Sequence, residues 1–459
     1  MRIDAGSTDR TVPAGEGPRA APSAFRGPAL VPSLSEKTMS GNTPAPSRSQ
    51  AAWNGFADRL KSIGEKIVAP TGARGPRERA EGYRYLLGLL SAAHDLEMES
   101  DRRFPELRRM MTPIRKFKGD GTDTLYREAK LDESLGYRYQ IRRGDDLFFS
   151  ATVYASDRDD TYYIVDHLID DDIHWDEVFG ERVADIYLSE KRPEGVRNWI
   201  ELKGNRPILF TREYFDRFVD AIDRGERRAA AMSLECLSEI APPEPWDETA
   251  LEEALGRVVD FVEDATDVSL GLSIFIGLNR IEYDGAGDGG TSERKGSMTR
   301  IEEGELVLDE ASSEEYTPEE LAAMIDPKLV KNNLPGPGIQ YIGGTFKLAP
   351  DEVILVEGTD VPCRYWNLQI LNRYLESGDF RHHKVGLQNR DVVKDADGSF
   401  RIYAANGDPG TKNWITTQGY ANGQILIRTL LADPLMEATF KVIKERDIPD
   451  EDRRQATRS

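Results

Sequence analysis

At 459 residues and 39% hydrophobic content, the chain is too long for one ordinary core and predicts two or three packed domains. A net charge of −21 excludes general binding to phosphate backbones, which needs clustered Lys and Arg. Two cysteines, Cys236 and Cys363, exclude a disulfide framework, no Cys/His cluster has metal-ligand spacing, and no run reaches the ~18 uncharged apolar residues of a membrane span.

The chain starts Met1-Arg2-Ile3-Asp4 and runs into Ala, Pro, Gly and Ser without the apolar stretch of a secretory leader, so a reduced, cytoplasmic compartment is expected. Residues 1–50 hold 7 Pro and 7 Ser with few aromatics, the composition of a disordered tail. Order is expected from about Trp53, in a helical segment spanning 51–125. There Tyr83, Leu86, Leu87 and Leu90 recur at helical spacing and predict a core-facing stripe.

From residue 126 the period changes to two. Tyr137, Tyr139 and Ile141 alternate with Arg138, Gln140 and Arg142, and Gly144-Asp145 reads as a hairpin turn into 147–154. Strand-like runs continue to Thr211, which bounds a first β-sandwich-like module at 126–215. Tyr214, Phe215, Phe218, Val219 and Ile222 then read as a helical stripe.

Residues 216–338 read as a helical, acidic connection. Between 241 and 330 there are 23 acidic and 6 basic side chains, a net −17. A helix is expected over 247–278, opened by a Thr249/Glu252 capping box and buried along Leu251, Leu255, Val258 and Val262. The Gly-rich stretch from 284 to about 300 is expected to be mobile, and Thr317-Pro318-Glu319-Glu320 to start another helix. Residues 339–433 are strand-like again, a second β-sandwich module, and 434–459 form a C-terminal tail. The fold class expected is mainly β with helical insertions (α+β), with two jelly-roll or β-sandwich-like modules in tandem.

The two strand-rich stretches carry one order of features. Tyr137-Arg138-Tyr139 precedes Arg197-Asn198-Trp199-Ile200, and Arg212 closes the run. Arg364-Tyr365-Trp366 precedes Lys412-Asn413-Trp414-Ile415, and Arg428 closes that run. Such a repeat implies duplicated domains. An Asn-Trp at a strand start buries an indole while the amide ties a loop, and the Arg stacks on that indole or binds loop carbonyls.

The run Pro362-Cys363-Arg364-Tyr365-Trp366-Asn367-Leu368-Gln369, then Asp397-Gly398-Ser399-Phe400, then Asp408-Pro409-Gly410-Thr411-Lys412-Asn413-Trp414-Ile415 and Gly423 to Arg428, resembles the family called domain of unknown function 1214. The resemblance covers about 339–433. It implies a jelly-roll β-sandwich, often preceded by a partner module numbered 1254, to which 126–215 is similar in position. The resemblance also implies a comparison, on fold alone, of some relatives with a peptide N-glycosidase built from two jelly rolls.

Period two sets Arg364, Trp366 and Leu368 on one strand face and Tyr365, Asn367 and Gln369 on the other, a polar aromatic surface suited to a ring or sugar. With Trp366, Asn413, Trp414 and Arg428 these form the candidate ligand groove. Asp408, in an Asp-Pro-Gly turn beside Asn413 and Trp414, and Glu357, at the end of an apolar strand, are the candidate catalytic carboxylates. His382-His383 cannot share a metal on one strand, though either suits a base, and Asp395-Ala396-Asp397-Gly398 reads as a turn. Neither a Ser nucleophile elbow nor a P-loop is present, and Gly285, Gly287, Gly289 and Gly290 lack the context of a dinucleotide site.

Two functions stay open. One is a protein that binds a small molecule, a glycan or hydrophobic metabolite, uncharged or cationic, with cofactor-independent hydrolase or lyase chemistry if it is an enzyme. The other is a non-catalytic assembly module whose acidic segment meets a basic partner. No cofactor, metal or nucleic acid is expected, and oligomeric state is open.

Overall fold

Ser47 opens the first helix by accepting the Gln50 N–H at 3.2 Å, which satisfies one of the unpaired amides of a helix start. The computed structural model describes residues 46–454 apart from 70–74, 159, 279–281, 284–298, 303–304, 309–326 and 335. The expected tail therefore lies outside the described residues as far as residue 45, as do most of the 284–300 connection and the helix start at Thr317. Helix α1 spans Arg48–Val68 and α2 spans Pro76–Ala93, followed by a π turn at His94–Met98. The buried face of α2 is Gly82, Tyr85, Leu89, Ala92 and Ala93, whereas Tyr83 and Leu87 are exposed. The apolar stripe read from the sequence was thus rotated, with only Leu86 and Leu90 packed at its edge.

The first sheet pair follows. One five-stranded sheet joins β1 (Arg108–Arg109), β2 (Thr124–Lys130), β9 (Asn205–Tyr214), β4 (Phe148–Ser156) and β5 (Tyr162–Ile169) in that order. Its partner joins β10 (Ala231–Cys236), β3 (Tyr137–Arg142), β7 (Glu181–Ser189) and β6 (Asp176–Val178), with β8 (Asn198–Glu201) parallel to β7. Tyr137, Tyr139 and Ile141 point inward as their alternation predicts, and pack with Phe149, Ala151, Val153, Ile186 and Leu209 between the sheets. The turn at Gly144-Asp145 is not a hairpin, because β3 and β4 belong to different sheets. A Cβ on Gly144 would lie 2.2 Å from the Arg228 carbonyl, so the crossing needs glycine.

The helix expected from Tyr214 is a strand end followed by the single turn α3 (Asp220–Asp223). The Phe215 and Val219 amides donate to Asp123 and Thr122 carbonyls, so the backbone bonds across the fold instead of along a helix. Helix α4 runs Glu248–Leu278 with Leu255, Val258 and Val262 buried. Its cap is Asp247, which accepts the Ala250 amide, whereas Thr249 and Glu252 bind Arg48. Arg59 and Lys66 of α1 pair further along with Asp260, Glu263 and Asp267, so part of the acidic segment is neutralised within the fold.

Beyond β11 (Glu282–Tyr283), the hairpin β12 (Thr299–Glu302) and β13 (Glu305–Leu308), and α5 (Pro327–Asn332) comes the second sheet pair. Its four-stranded sheet orders β14 (Ile339–Lys347), β20 (Asn422–Leu430), β16 (Tyr365–Leu371) and β17 (Gly386–Gln388). Its five-stranded sheet orders β11, β21 (Ala438–Lys444), β15 (Glu352–Thr359), β18 (Ser399–Ala405) and β19 (Trp414–Thr416). Trp366, Leu368, Ile402, Ile415 and Ile427 fill the space between them.

The strand orders correspond: β2-β9-β4 to β14-β20-β16, and β10-β3-β7 to β21-β15-β18, with β8 and β19 each parallel to the last of these. The Asn-Trp motifs occupy equivalent places. Asn198 accepts the His174 amide and donates to the His174 and Asp185 carbonyls; Asn413 accepts the Val393 amide and donates to Val393 and Arg401. Tyr137 and Tyr365 do not correspond, because Tyr365 takes the place of Phe148 on the strand beside β20. The result is a β-sandwich-rich α+β fold. Replacing Asn198 or Asn413 by Ala leaves buried backbone groups unmet and is expected to lower unfolding free energy by about 1–3 kcal/mol in denaturant titration. Unchanged midpoints would show that the loops do not need these ties.

Candidate functional site

Because side chains alternate along a strand, the face of β16 opposite Trp366 must carry Tyr365, Asn367 and Gln369. That face is buried against the first sheet pair, each of the three being at most 2% exposed. Asn367 Nδ2 donates to Asp123 Oδ2 at 2.6 Å, and Tyr365 donates its hydroxyl to the same oxygen. Gln369 donates to the Asp120 carbonyl at 2.7 Å and accepts the Thr122 amide at 3.1 Å. A polar strand face thus docks on the loop that leads into β2.

Arg428 lies beside Asn367 across the β16–β20 register and beside Tyr341 of β14. Arg212 holds the equivalent place on β9, with Tyr126 and Ser150 as its cross-strand neighbours. Each guanidinium reaches across to the other sheet pair. Arg428 Nη2 donates to the Gly119 carbonyl, five residues before β2, at 2.9 Å. Arg212 Nη2 donates to the Leu334 carbonyl, five residues before β14, and to Tyr154 Oη at 3.2 Å. The flanking glycines are equivalent as well: a Cβ on Gly121 would sit 2.7 Å from Arg428 Nη1, and one on Gly336 would sit 3.2 Å from Arg212 Nε.

Both arginines are 3% exposed. A guanidinium stays charged in a protein, so two full positive charges are buried here. Among the described residues no carboxylate lies within ion-pairing distance of either. Arg212 Nη1 and Arg428 Nε and Nη1 have no hydrogen-bond partner. Tyr214 and Tyr341 act on both guanidiniums, Tyr154 on Arg212, and Tyr126 and Asp123 on Arg428. Burial pushes the Asp123 carboxyl up, against the opposing pull of Tyr365, Arg428, Asn367 and Thr124. Apolar contact closes one flank, where Phe148, Tyr214, Ile339, Tyr365 and Leu430 cluster.

The residues singled out in the sequence separate into three places. Tyr365, Asn367, Gln369 and Arg428 come together in this buried layer. Trp366 is core, stacked on Phe400 at 4.9 Å with its Nε1 donating to Asp360. Asn413 ties a loop, and Trp414 is half-buried on the outer sheet with Lys384 over its ring at 5.3 Å. Trp366 and Trp414 thus lie in different layers, and Arg428 lies over Tyr341 at 5.3 Å instead of either indole. Asp408 is exposed; slight burial notwithstanding, Arg454 and the Gly410 amide hold its carboxyl below the usual range. Glu357 pairs with Arg401 and Lys441 on the outer sheet. The two proposed catalytic carboxylates therefore lie in separate surface ion pairs. His382 and His383 are exposed on a loop.

Arg212, Asp123, Tyr126 and Tyr341 were not among the site residues expected from sequence. The signal available was the repeat itself, which equates Arg212 with Arg428. Among the described residues no three His, Cys, Asp or Glu side chains gather as metal ligands, and no helix is long and apolar enough to cross a membrane.

Residues 351–434 match the family described as a protein of unknown function, domain of unknown function 1214, within the stretch that carried the resemblance. No curated protein matches the chain. A crystal structure of an uncharacterised protein from Burkholderia cenocepacia is similar over 86% of this chain and 97% of its own, at 24% identity and a TM-score of 0.69, a likeness of fold. A structure from Vibrio parahaemolyticus, at 11% identity and a TM-score of 0.41, covers 79% of this chain and 98% of its own and is too distant to weigh.

Arg212 and Glu213 offer a direct contrast. Glu213, on the opposite face of β9, is fully buried in an ion pair with Arg127. Glu213→Ala strands Arg127 and is expected to cost about 3–5 kcal/mol. Arg212→Met removes a buried cation that lacks a counter-ion and is expected to cost no more than about 1–2 kcal/mol, since its loss offsets the unmet Leu334 carbonyl. Equal losses in thermal unfolding would refute the assignment of Arg212 as uncompensated.

Proposed function

We propose that this protein binds a small organic anion between its two sheet pairs, with Arg212 and Arg428 as the recognition groups. The observation that carries the reading is the pair of buried guanidiniums with unmet N–H groups and, among the described residues, no carboxylate at ion-pair distance. A buried charge costs several kcal/mol unless something compensates it, and an anion on these donors does so. Guanidinium N–H groups framed by tyrosines suit carboxylate or phosphate oxygens. The ligand expected from overall charge was uncharged or cationic; net charge describes the surface, whereas this layer is locally positive.

The same reading takes the shared strand orders as two jelly-roll-like modules in tandem, with the first, expected at 126–215, extended to include Ala231–Cys236. It keeps the cytoplasmic compartment inferred from the two free cysteines. Binding rather than turnover is the function supported, since Asp408 and Glu357 stand apart from the layer. The rival assembly reading draws no support from Glu252, Asp260, Glu263 and Asp267 of α4, which pair with Arg48, Arg59 and Lys66.

The test is a thermal-shift panel at constant ionic strength with benzoate, acetate and inorganic phosphate, set against uncharged methyl benzoate and glucose. At one hundred times Kd a bound anion adds about 2.7 kcal/mol. At least one anion is expected to raise Tm, the neutral probes are not, and Arg428→Gln is expected to abolish the shift. A shift with the neutral probes alone, or with none of the panel, would overturn the reading.

A further inference from the structure

Two cations stand in this layer, one on each sheet pair, and their surroundings are related by the repeat. Each donates through Nη2 to a carbonyl of the loop entering the opposite sheet pair, and each has a glycine of that loop against its guanidinium. These contacts fix both heads, so neither is free to swing toward the other. Each retains an unmet Nη1, and both act on the same Tyr214 and Tyr341.

Asp123, the carboxylate that acts on Arg428, does not balance them. Asp123 stands one residue before β2 and is held by Tyr365, Asn367 and Thr124. The equivalent position before β14 is Gly338, where a Cβ would meet Leu431 at 2.6 Å. Among the described residues the Arg212 end thus has no acid within ion-pairing distance. Resting on the anion-binding reading above, we infer that the ligand is a two-headed acid, with one anionic group on Arg212 and a second on Arg428. A lone carboxylate satisfies one fixed guanidinium and leaves the other uncompensated. A compact inorganic dianion concentrates its charge at one point, whereas the two donors are held on separate strands. The class that fits is an organic molecule with two acid groups separated by a short linker.

Isothermal titration of the full chain with the α,ω-dicarboxylates from oxalate to adipate, against monocarboxylates of equal carbon number and inorganic phosphate, tests this. One dicarboxylate length is expected to bind at least tenfold tighter than its monocarboxylate counterpart. Arg212→Gln and Arg428→Gln are each expected to bring that dicarboxylate to the monocarboxylate level. Monocarboxylates or phosphate binding as tightly as the best dicarboxylate would overturn the two-headed ligand while leaving the anion site intact. No binding by any of these probes would overturn both. If either variant fails to fold, the wild-type series decides alone.

Discussion

Arg212 and Arg428 each donate a hydrogen bond to a backbone carbonyl in the loop that introduces the opposite sheet pair, and much of the architecture is arranged around that exchange. A guanidinium cannot shed its proton, so burying two of them calls for polar partners, here one loop carbonyl each and the Tyr154 hydroxyl on Arg212. The Gly119 and Leu334 carbonyls are presented by residues with φ of 71° and 53°, a left-handed backbone that glycine adopts freely and leucine does not. Leu334 therefore holds its conformation because the surrounding contacts require it. The exchange also ties each loop to the sheet it does not belong to, so the two sandwiches share one polar seam.

The seam is bordered by ordinary packing. On one side lie Phe148, Tyr214, Ile339, Tyr365 and Leu430; on another, the helices bring Tyr85, Leu89, Val258 and Val262 against Tyr126, Tyr154 and Phe210. Dry walls raise the cost of the unmet N–H groups they enclose. Symmetry fails where Asp123 is set against Gly338, at which a Cβ would meet Leu431 at 2.6 Å. Among the described residues, Arg428 consequently has a carboxylate in its neighbourhood, whereas Arg212 has phenols and the Leu334 carbonyl.

The parts of this arrangement legible in the sequence were those set by local periodicity. Alternation placed Tyr365, Asn367 and Gln369 on one face and Trp366 on the other, and the repeated Asn-Trp correctly marked two loop ties. The partners of that polar face were not legible, since Asp123 lies more than two hundred residues from Tyr365. The proposed stacking of Arg428 on Trp414 failed because consecutive segments enter different sheets: β19 belongs to one and β20 to the other. The apolar spacing at 214–222 imitated a helix because that segment packs on the second core while its amides bond to 122–123. The Thr249/Glu252 pair imitated a capping box because both side chains serve Arg48, at the far end of the chain.

Helix α1 is attached quite differently from everything described so far. Its fully buried side chains are Ile63 and Ile67, both in its last two turns, with Phe56 and Leu60 partly buried against the same cluster, while Arg48 at its start and Arg59 at its middle hold α4 through half-exposed ion pairs. Apolar contact keeps its strength in brine, whereas exposed charge pairs are screened. The described apolar contacts of the helix thus begin at Phe56, and its first two turns are held to α4 by polar and charged pairs. Rising ionic strength is therefore expected to loosen only the stretch from residue 48 to Phe56, whose amides then exchange before those of the sandwiches.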